Sequence, residues 1–286
     1  MMFSGIADEA GHSIESQIRA HKELGWNLIE LRLVNRQNVT LVDDGEFDRI
    51  FGSVSDAGMK VSCFASAIGN WSRDIDGDFE IDRQELVKAI PRMKRAGTKF
   101  IRIMTWNPGK MNNGQWKAEA FRRLEVLVKM AEDAGIVLAH ENCTGWASMS
   151  ATNCVEMLDK FNSPALVPLW DTANEMAYGR GDAEPFLAAV ENRVAYVHIK
   201  DWMRKPDGEA AGAYAGEGDC RVPEQVERIL RTGYDGVFSV EPHVAAVIHT
   251  GMESPEEGMY RAYVIAGRRM VELLNQVSAK VAGKRQ

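Results

Sequence analysis

Cysteine is scarce. The chain has four in 286 residues, Cys63, Cys143, Cys154 and Cys220, with no Cys-x-x-Cys pair, which fits neither a disulfide framework nor a zinc knuckle and suits a reducing, cytoplasmic setting. Long apolar runs are missing too: none approaches the roughly 18 residues of a membrane span. The N-terminus reaches Asp8 and Glu9 too early for a signal peptide, so the expectation is a soluble, unexported protein. Positive charge is short as well. Lys and Arg number 34 against 41 Asp and Glu, a net charge of −7, so no field gathers nucleic acid or anionic lipid, and neither is an expected partner. No Gly-x-Gly-x-x-Gly follows the first apolar run, and Gly5-Ile6-Ala7-Asp8 is no substitute, which argues against a doubly wound dinucleotide fold. No linker or low-complexity tract divides the chain. One domain over 1–286, with a short polar tail from about 282, is expected, and a homo-oligomer is compatible with the sequence.

What is present is a recurring junction. Helix-like stretches end in Gly25, Gly58, Gly97, Gly135 and Gly233, each followed at once by a short β-branched or apolar run. Glycine just past a helix takes the left-handed conformation cheaply, so each junction reads as helix stop and strand start. The strands that follow are 27–33, 60–65, 99–105, 136–142 and 236–242, and three more apolar runs at 3–7, 166–171 and 194–200 make eight. Helical patterns lie between them at 14–24, 47–57, 80–96, 118–134, 153–161, 183–191 and 223–231, with a last one at about 256–281. Pro91 predicts a kink or a shorter third helix. Strict alternation needs parallel neighbours joined by crossover helices, and eight pairs predict a single (β/α)8 TIM barrel of the α/β class.

In such a barrel the functional groups collect at the C-terminal strand ends. Four adjacent strands end in His140-Glu141-Asn142, Trp170-Asp171-Thr172, Val197-His198-Ile199-Lys200-Asp201 and Val240-Glu241-Pro242-His243. Each residue alone reads equally as a helix cap or surface ion pair. Together, Glu141, Asp171, His198 and Glu241 point at one spot near the barrel axis, where three carboxylates repel unless a cation sits among them. Three oxygens and one imidazole suit one divalent ion, Mn²⁺ as the expected one, with Mg²⁺, Co²⁺ or Zn²⁺ as alternatives.

The ordered series His140-Glu141-Asn142, Trp170-Asp171-Thr172-Ala173-Asn174, His198 with Arg204 six positions later, Gly216-Glu217-Gly218 and Val240-Glu241-Pro242 resembles the sugar phosphate isomerase/epimerase family of xylose-isomerase-like barrels. That family includes ketose 3-epimerases, hydroxypyruvate isomerases and inosose dehydratase. The resemblance spans essentially the whole chain. It implies that the four matching positions bind one divalent metal and that Glu141 and Glu241 are the catalytic acid/base pair. One of them removes a proton α to a metal-bound carbonyl and the other returns it through an enediolate. It further implies that Arg204 contacts substrate oxygens. Ketose 3-epimerases carry a histidine where this chain has Asn174, a departure from that subgroup at a substrate-facing position.

Further candidates come from position alone. Asp8-Glu9 and Glu30-Leu31-Arg32 close the first two strands; Glu30 and Arg32 share a strand face and read either as a mutual ion pair or as substrate contacts. Trp71, Trp106 and Trp146 follow the third to fifth strands and read either as ring-stacking platforms or as packing. Lys200 shares the parity of His198 and reads as a ligand for a keto oxygen or carboxylate, Asp201 as an orienting group, and His243 as a substrate contact sharing the parity of Glu241. His140 should point away from Glu141. His12, His21 and His249 belong to no constellation. Cys143 and Cys154 lack a base to activate a thiol. The loops 107–115, 204–219 and 243–259 are expected to shape specificity.

The expected function is therefore a metal-dependent isomerase or epimerase of a small carbohydrate: a sugar, sugar phosphate or keto-sugar. The rival is a lyase or dehydratase using the same enolate. A nuclease like endonuclease IV, which shares this barrel, is disfavoured by Ser66 and Trp106 standing where its histidine-rich site needs imidazoles. A non-catalytic sugar-binding role is the fourth reading. Three carboxylates around one divalent ion leave about one negative charge, which disfavours a dianionic phosphate unless Arg32, Lys200 and Arg204 compensate.

Overall fold

The structure is a computed structural model that describes residues 1–205, 210–247 and 251–283. Eight strands form the barrel: β1 (Met2–Gly5), β2 (Leu28–Leu31), β3 (Lys60–Ala65), β4 (Phe100–Thr105), β5 (Val137–Gly145), β6 (Leu166–Asp171), β7 (Tyr196–Ile199) and β8 (Val237–Val240). They run β1-β8-β7-β6-β5-β4-β3-β2 around one sheet, with neighbouring strands parallel. A parallel bridge between Ile6 and Glu30 joins β1 to β2 and closes the ring.

The outer layer is α1 (Ile14–Glu23), α2 (Asp44–Asp56), α3 (Phe79–Ala96), α4 (Asn113–Ala134), α5 (Ala151–Phe161), α6 (Glu184–Val190), α7 (Val222–Arg231) and α8 (Glu256–Gly283). The five junction glycines all have φ between 67° and 91°, so the helix stops are left-handed caps, as the spacing predicts. Helix starts differ from the sequence reading where a polar cap extends them. Asn112 and Gln115 form a reciprocal capping box, and α4 begins at Asn113, five residues before its first periodic apolar position. Asp43 accepts from the Glu46 amide and starts α2 at Asp44. Pro91 neither ends nor shortens α3, which is continuous over Phe79–Ala96. Both Pro91 and Val87 are exposed, so water can reach the carbonyl that Pro91 leaves unpaired four residues back. The C-terminal helix continues through Gly283, into the polar tail expected from about 282.

Alternation sorts each strand into two sets. Val197 and Ile199 pack outward with the helices, while Cys63, Ala139, Leu169, Tyr196 and Val237 plug the barrel floor. A polar chain runs beside that plug, through the Tyr196 hydroxyl, toward the strand ends. Ser4 and Ser62 hydroxyls lie 2.8 Å apart, Ser62 is 2.9 Å from the Tyr196 hydroxyl, and Tyr196 donates to Glu30 Oε2 at 2.9 Å. A hydrogen-bonded column thus rises along the barrel axis to the strand ends, each member satisfied by the next.

Candidate metal and acid–base site

The same parity, two residues above the floor plug on three strands and four above Val237 on the last, brings Glu141 from β5, Asp171 from β6, His198 from β7 and Glu241 just beyond β8 to one point. All four are buried, and one ligand atom from each lies within 4.8 Å of every other. The backbone fixes these side chains before any ion is considered. Asp171 Oδ1 accepts the amides of Ala173 and Asn174 at 2.8 and 2.9 Å, which leaves Oδ2 facing the axis. Asn142, facing away, accepts the Asp171 amide at 2.7 Å and donates to the Asp171 carbonyl at 3.1 Å, tying β5 to β6.

His198 is held from below. Its Nε2 lies 3.1 and 3.2 Å from the two oxygens of Glu30, which also accepts from Ser239 Oγ at 2.6 Å. Nδ1 then faces Glu141 Oε1 at 3.4 Å and Glu241 Oε2 at 3.7 Å. Burial alone would push this imidazole down, but the carboxylates of Glu30 and Glu141 outweigh it and raise His198 to about 10. Burial likewise favours a neutral Glu141, and the Arg102 guanidinium with His198 reverses that, holding it at about 2. At Asp171 burial prevails and the carboxyl is pushed up. Burial works against ionised Glu241 too, yet Lys200, His243 and Arg32 hold it well below the usual carboxylate range.

The donor set fits a divalent ion. Glu141 Oε2 and Asp171 Oδ2 are buried and accept no hydrogen bond, although Arg102 Nη1 lies 3.4 Å from the first and Lys200 Nζ 3.1 Å from the second. The charges are close but misdirected as hydrogen bonds, so both oxygens keep a lone pair for a cation. Buried acceptors in that state are rare and call for a partner. The four residues could hold a metal, with Glu30 orienting the imidazole in the carboxylate–histidine arrangement common around metal ligands.

Other candidates sort into those at the site and those away from it. Lys200 Nζ pairs with Asp171 and with Glu241 Oε2 at 3.0 Å. Asn174 Nδ2 donates to Glu141 Oε1 at 3.1 Å. Arg32 binds Glu241 Oε1 at 2.6 Å, Asp8 Oδ2 at 3.0 Å and Glu9 Oε1 at 3.2 Å, so its partners are these acids and not Glu30. His243, at φ 51°, places Nδ1 2.8 Å from Glu9 and Nε2 3.9 Å from Glu241. These groups, with Trp71, line a cavity of about 70 Å³ over the four central residues. A larger groove of about 610 Å³ lies outside the barrel along α6 and α7, where Arg228 pairs with Glu184 and Glu191, away from this cluster.

Three assignments are corrected. Glu30, expected as a substrate contact, is fully buried beneath His198, 3.1 Å from its Nε2, and does not line the cavity over the site. Trp106 is fully buried, its Nε1 donating to Asp82 Oδ2 at 2.8 Å, and it serves as a pillar of the core. Arg204 is exposed on a hairpin, Asp201–Arg204 with Ala210–Ala213, that the sequence reading treats as loop. Its amide binds Asp219, and its side chain does not line the cavity. Trp146 likewise packs in the core against Phe121. Asp201 accepts the amides of Gly216, Gly218 and Cys220 and orders the turn that follows the hairpin. His140 is buried facing Thr105 and pushed down to about 4 by burial. Residues 206–209 and 248–250, within the specificity loops and including His249, lie outside the described residues.

Arg102 is the site residue that sequence reasoning missed. Its signal was an arginine inside Phe100-Ile101-Arg102-Ile103-Met104, a charge interrupting an apolar strand at the inward parity. It is buried, pairs with Glu141 and sits 6.0 Å from the Trp71 ring.

The chain matches the family model of the xylose isomerase-like TIM barrel over residues 18–262 and belongs to that family. No curated protein sequence matches it. Among solved structures it is similar to a D-tagatose 3-epimerase-like protein (18% identity, 98% of this chain and 100% of that one, TM-score 0.74). It is similar to the IolI protein with a bound zinc atom (16%, 97% and 99%, TM-score 0.76). A third is the probable 3-DHS dehydratase AsbF of Bacillus anthracis (15%, 93% and 98%, TM-score 0.68). At these identities the likeness establishes the fold.

Proposed function

We propose that this protein is a divalent-metal-dependent isomerase or epimerase of a small carbohydrate, with Glu141 and Glu241 exchanging a proton at the carbon next to a carbonyl. The observation that carries the reading is a pair of buried oxygens that accept no hydrogen bond, Glu141 Oε2 and Asp171 Oδ2, within a four-residue donor set at the C-terminal barrel mouth. When bound, a divalent ion such as Mn²⁺, Mg²⁺, Co²⁺ or Zn²⁺ supplies Lewis-acid polarisation of the carbonyl. Glu141, Asp171, His198 and Glu241 would hold it.

The chain's own groups supply the rest. Glu141 from β5 and Glu241 from beyond β8 both reach His198 Nδ1, at 3.4 and 3.7 Å, so two carboxylates flank one spot, one to take a substrate α-hydrogen and the other to return a proton. Asn174 steadies Glu141, and Arg32 and Lys200 steady Glu241. Trp71 and Trp202 wall the small cavity and exclude water, and Lys200 and His243 offer donors to substrate oxygens. Around the barrel mouth, the buried carboxylates Asp8, Glu9, Glu30, Glu141, Asp171 and Glu241 face the buried cations Arg32, Arg102 and Lys200. A divalent ion brings that cluster to about one negative charge, which favours a neutral sugar or keto-sugar over a phosphorylated one. The reading takes a small-molecule carbohydrate as partner and the cytoplasm as setting.

Elimination is the second reading, favoured by His243. Its ring lies 3.9 Å from Glu241 Oε1 in the cavity wall, where it can protonate a departing β-hydroxyl. Incubation with keto-sugars in D₂O, followed by NMR, separates the two. Deuterium in an isomeric product supports isomerisation, an unsaturated product supports elimination, and no exchange with any metal refutes both. Glu141→Gln and Glu241→Gln should each lose exchange by about 10²-fold or more.

A further inference from the structure

Lys200 is the unusual cation of this site. Its ammonium lies 3.1 Å from Asp171 Oδ2 and 3.0 Å from Glu241 Oε2, two of the four groups that would hold the ion. Its backbone is clamped at both polar atoms by the Thr172 hydroxyl, which accepts from the Lys200 amide at 3.0 Å and donates to its carbonyl at 2.6 Å. Only the four-carbon stem is free to move. Lys200 lines the cavity of about 70 Å³ over the site, which gives the ammonium somewhere to go.

Resting on the metal reading above, we infer that Lys200 is the counter-cation of the metal-free site and competes with the divalent ion for Asp171 and Glu241. The physical ground is that a monovalent and a divalent cation cannot both lie against the same two oxygens in a buried, low-dielectric mouth without strong repulsion. Three buried carboxylates converging without an ion need compensation for the barrel to close; Arg102 stands by Glu141 and Arg32 by Glu241, and Lys200 is the cation against Asp171 and the second oxygen of Glu241. Loading expels the ammonium into the cavity, where it meets a substrate carbonyl or hydroxyl oxygen. Metal binding and creation of the substrate-holding cation are then one event. A lysine suits this exchange because its point charge sits on a flexible stem, whereas the forked Arg32 is locked by three acids.

The test is Mn²⁺ titration of the full chain stripped with chelator, read by calorimetry, for wild type, Lys200→Met and Asp171→Asn. Lys200→Met, which keeps the stem and removes the charge, should bind Mn²⁺ at least about tenfold more tightly, and its metal-free Tm should fall more than its loaded Tm. Unchanged or weaker Mn²⁺ binding in Lys200→Met, with binding weakened in Asp171→Asn, overturns the competition while leaving the metal site standing. Equal Kd in wild type and Asp171→Asn overturns the metal reading and this inference together. Should Lys200→Met fail to fold without metal, Nζ-detected NMR of the wild type decides. The Lys200 resonance should shift on adding Mg²⁺, and an unmoved resonance at saturation overturns the inference.

Discussion

Replacing Glu30 with Gln separates a residue that supports the metal site from one that grips substrate. Glu30 is fully buried, receives His198 Nε2 at 3.1 and 3.2 Å, the Tyr196 hydroxyl at 2.9 Å and Ser239 Oγ at 2.6 Å. An ionised carboxylate only accepts, so Nε2, which faces it, keeps its proton, and when a divalent ion displaces the second proton the lone pair is on Nδ1, facing Glu141 and Glu241. Glutamine introduces an NH₂ into this acceptor cluster. Turned toward His198, it forces the other tautomer and places a proton where the metal lone pair should be. Turned toward Tyr196 and Ser239, it makes both hydroxyls rotate, and the hydrogen bonds to a charged acceptor, about 1.5–3 kcal/mol each, fall to neutral ones near 1 kcal/mol. Either way divalent-ion affinity should drop by about 10- to 100-fold, near 1.4–2.7 kcal/mol. The metal-free protein should lose about 2 kcal/mol, a fall in Tm of roughly 5 °C for a chain of this size. Competitive titration with Zn²⁺ or Mn²⁺ and a thermal melt measure both quantities. If Glu30→Gln keeps metal affinity within twofold and raises KM alone, Glu30 is a substrate contact and the support role is wrong.

Three further outcomes can be checked. Arg102→Met removes the guanidinium that, against burial, helps hold Glu141 at about 2, so the acid limb of the kcat/KM profile should move to higher pH; an unmoved limb refutes the role. Burial lowers His21 and His140 from 6.5 to about 4. The unfolded chain therefore binds more protons between those values, so stability is full above about pH 6.5 and lost as pH falls toward 4, by roughly 3 kcal/mol per histidine. Urea midpoints at pH 8, 6 and 4.5 should show that decline, shallower in His140→Leu, and equal slopes for variant and wild type would contradict it. Gly145 has φ 94°, and a Cβ there would meet the Thr105 carbonyl carbon at 2.4 Å, so Gly145→Ala should lower Tm by about 5 °C or more; an unchanged melt would show that the β4–β5 junction yields freely.

Sequence alone determined the barrel and its polarity. Gly25, Gly58, Gly97, Gly135 and Gly233 marked the helix-to-strand junctions because a left-handed cap favours glycine, and period-two alternation set which strand residues face inward. From those two regularities Glu141, Asp171, His198 and Glu241 could be placed at one mouth, and they do converge there. Tertiary structure decided who pairs with whom across the axis, because residues on opposite strands carry no mutual signal in sequence. Glu30 and Arg32 share a strand face, yet the first turns to His198 from β7 and the second to Asp8, Glu9 and Glu241. Trp106 and Trp71 both follow the ends of neighbouring strands, the first directly after β4 and the second six residues after β3. The backbone at φ 53° turns Trp106 into the core, where Asp82 from α3 receives it, while Trp71 borders the cavity. Local chemistry fixed each strand's inward face; only closure of the ring brought β2, β5, β7 and β8 close enough for their charges to select one another.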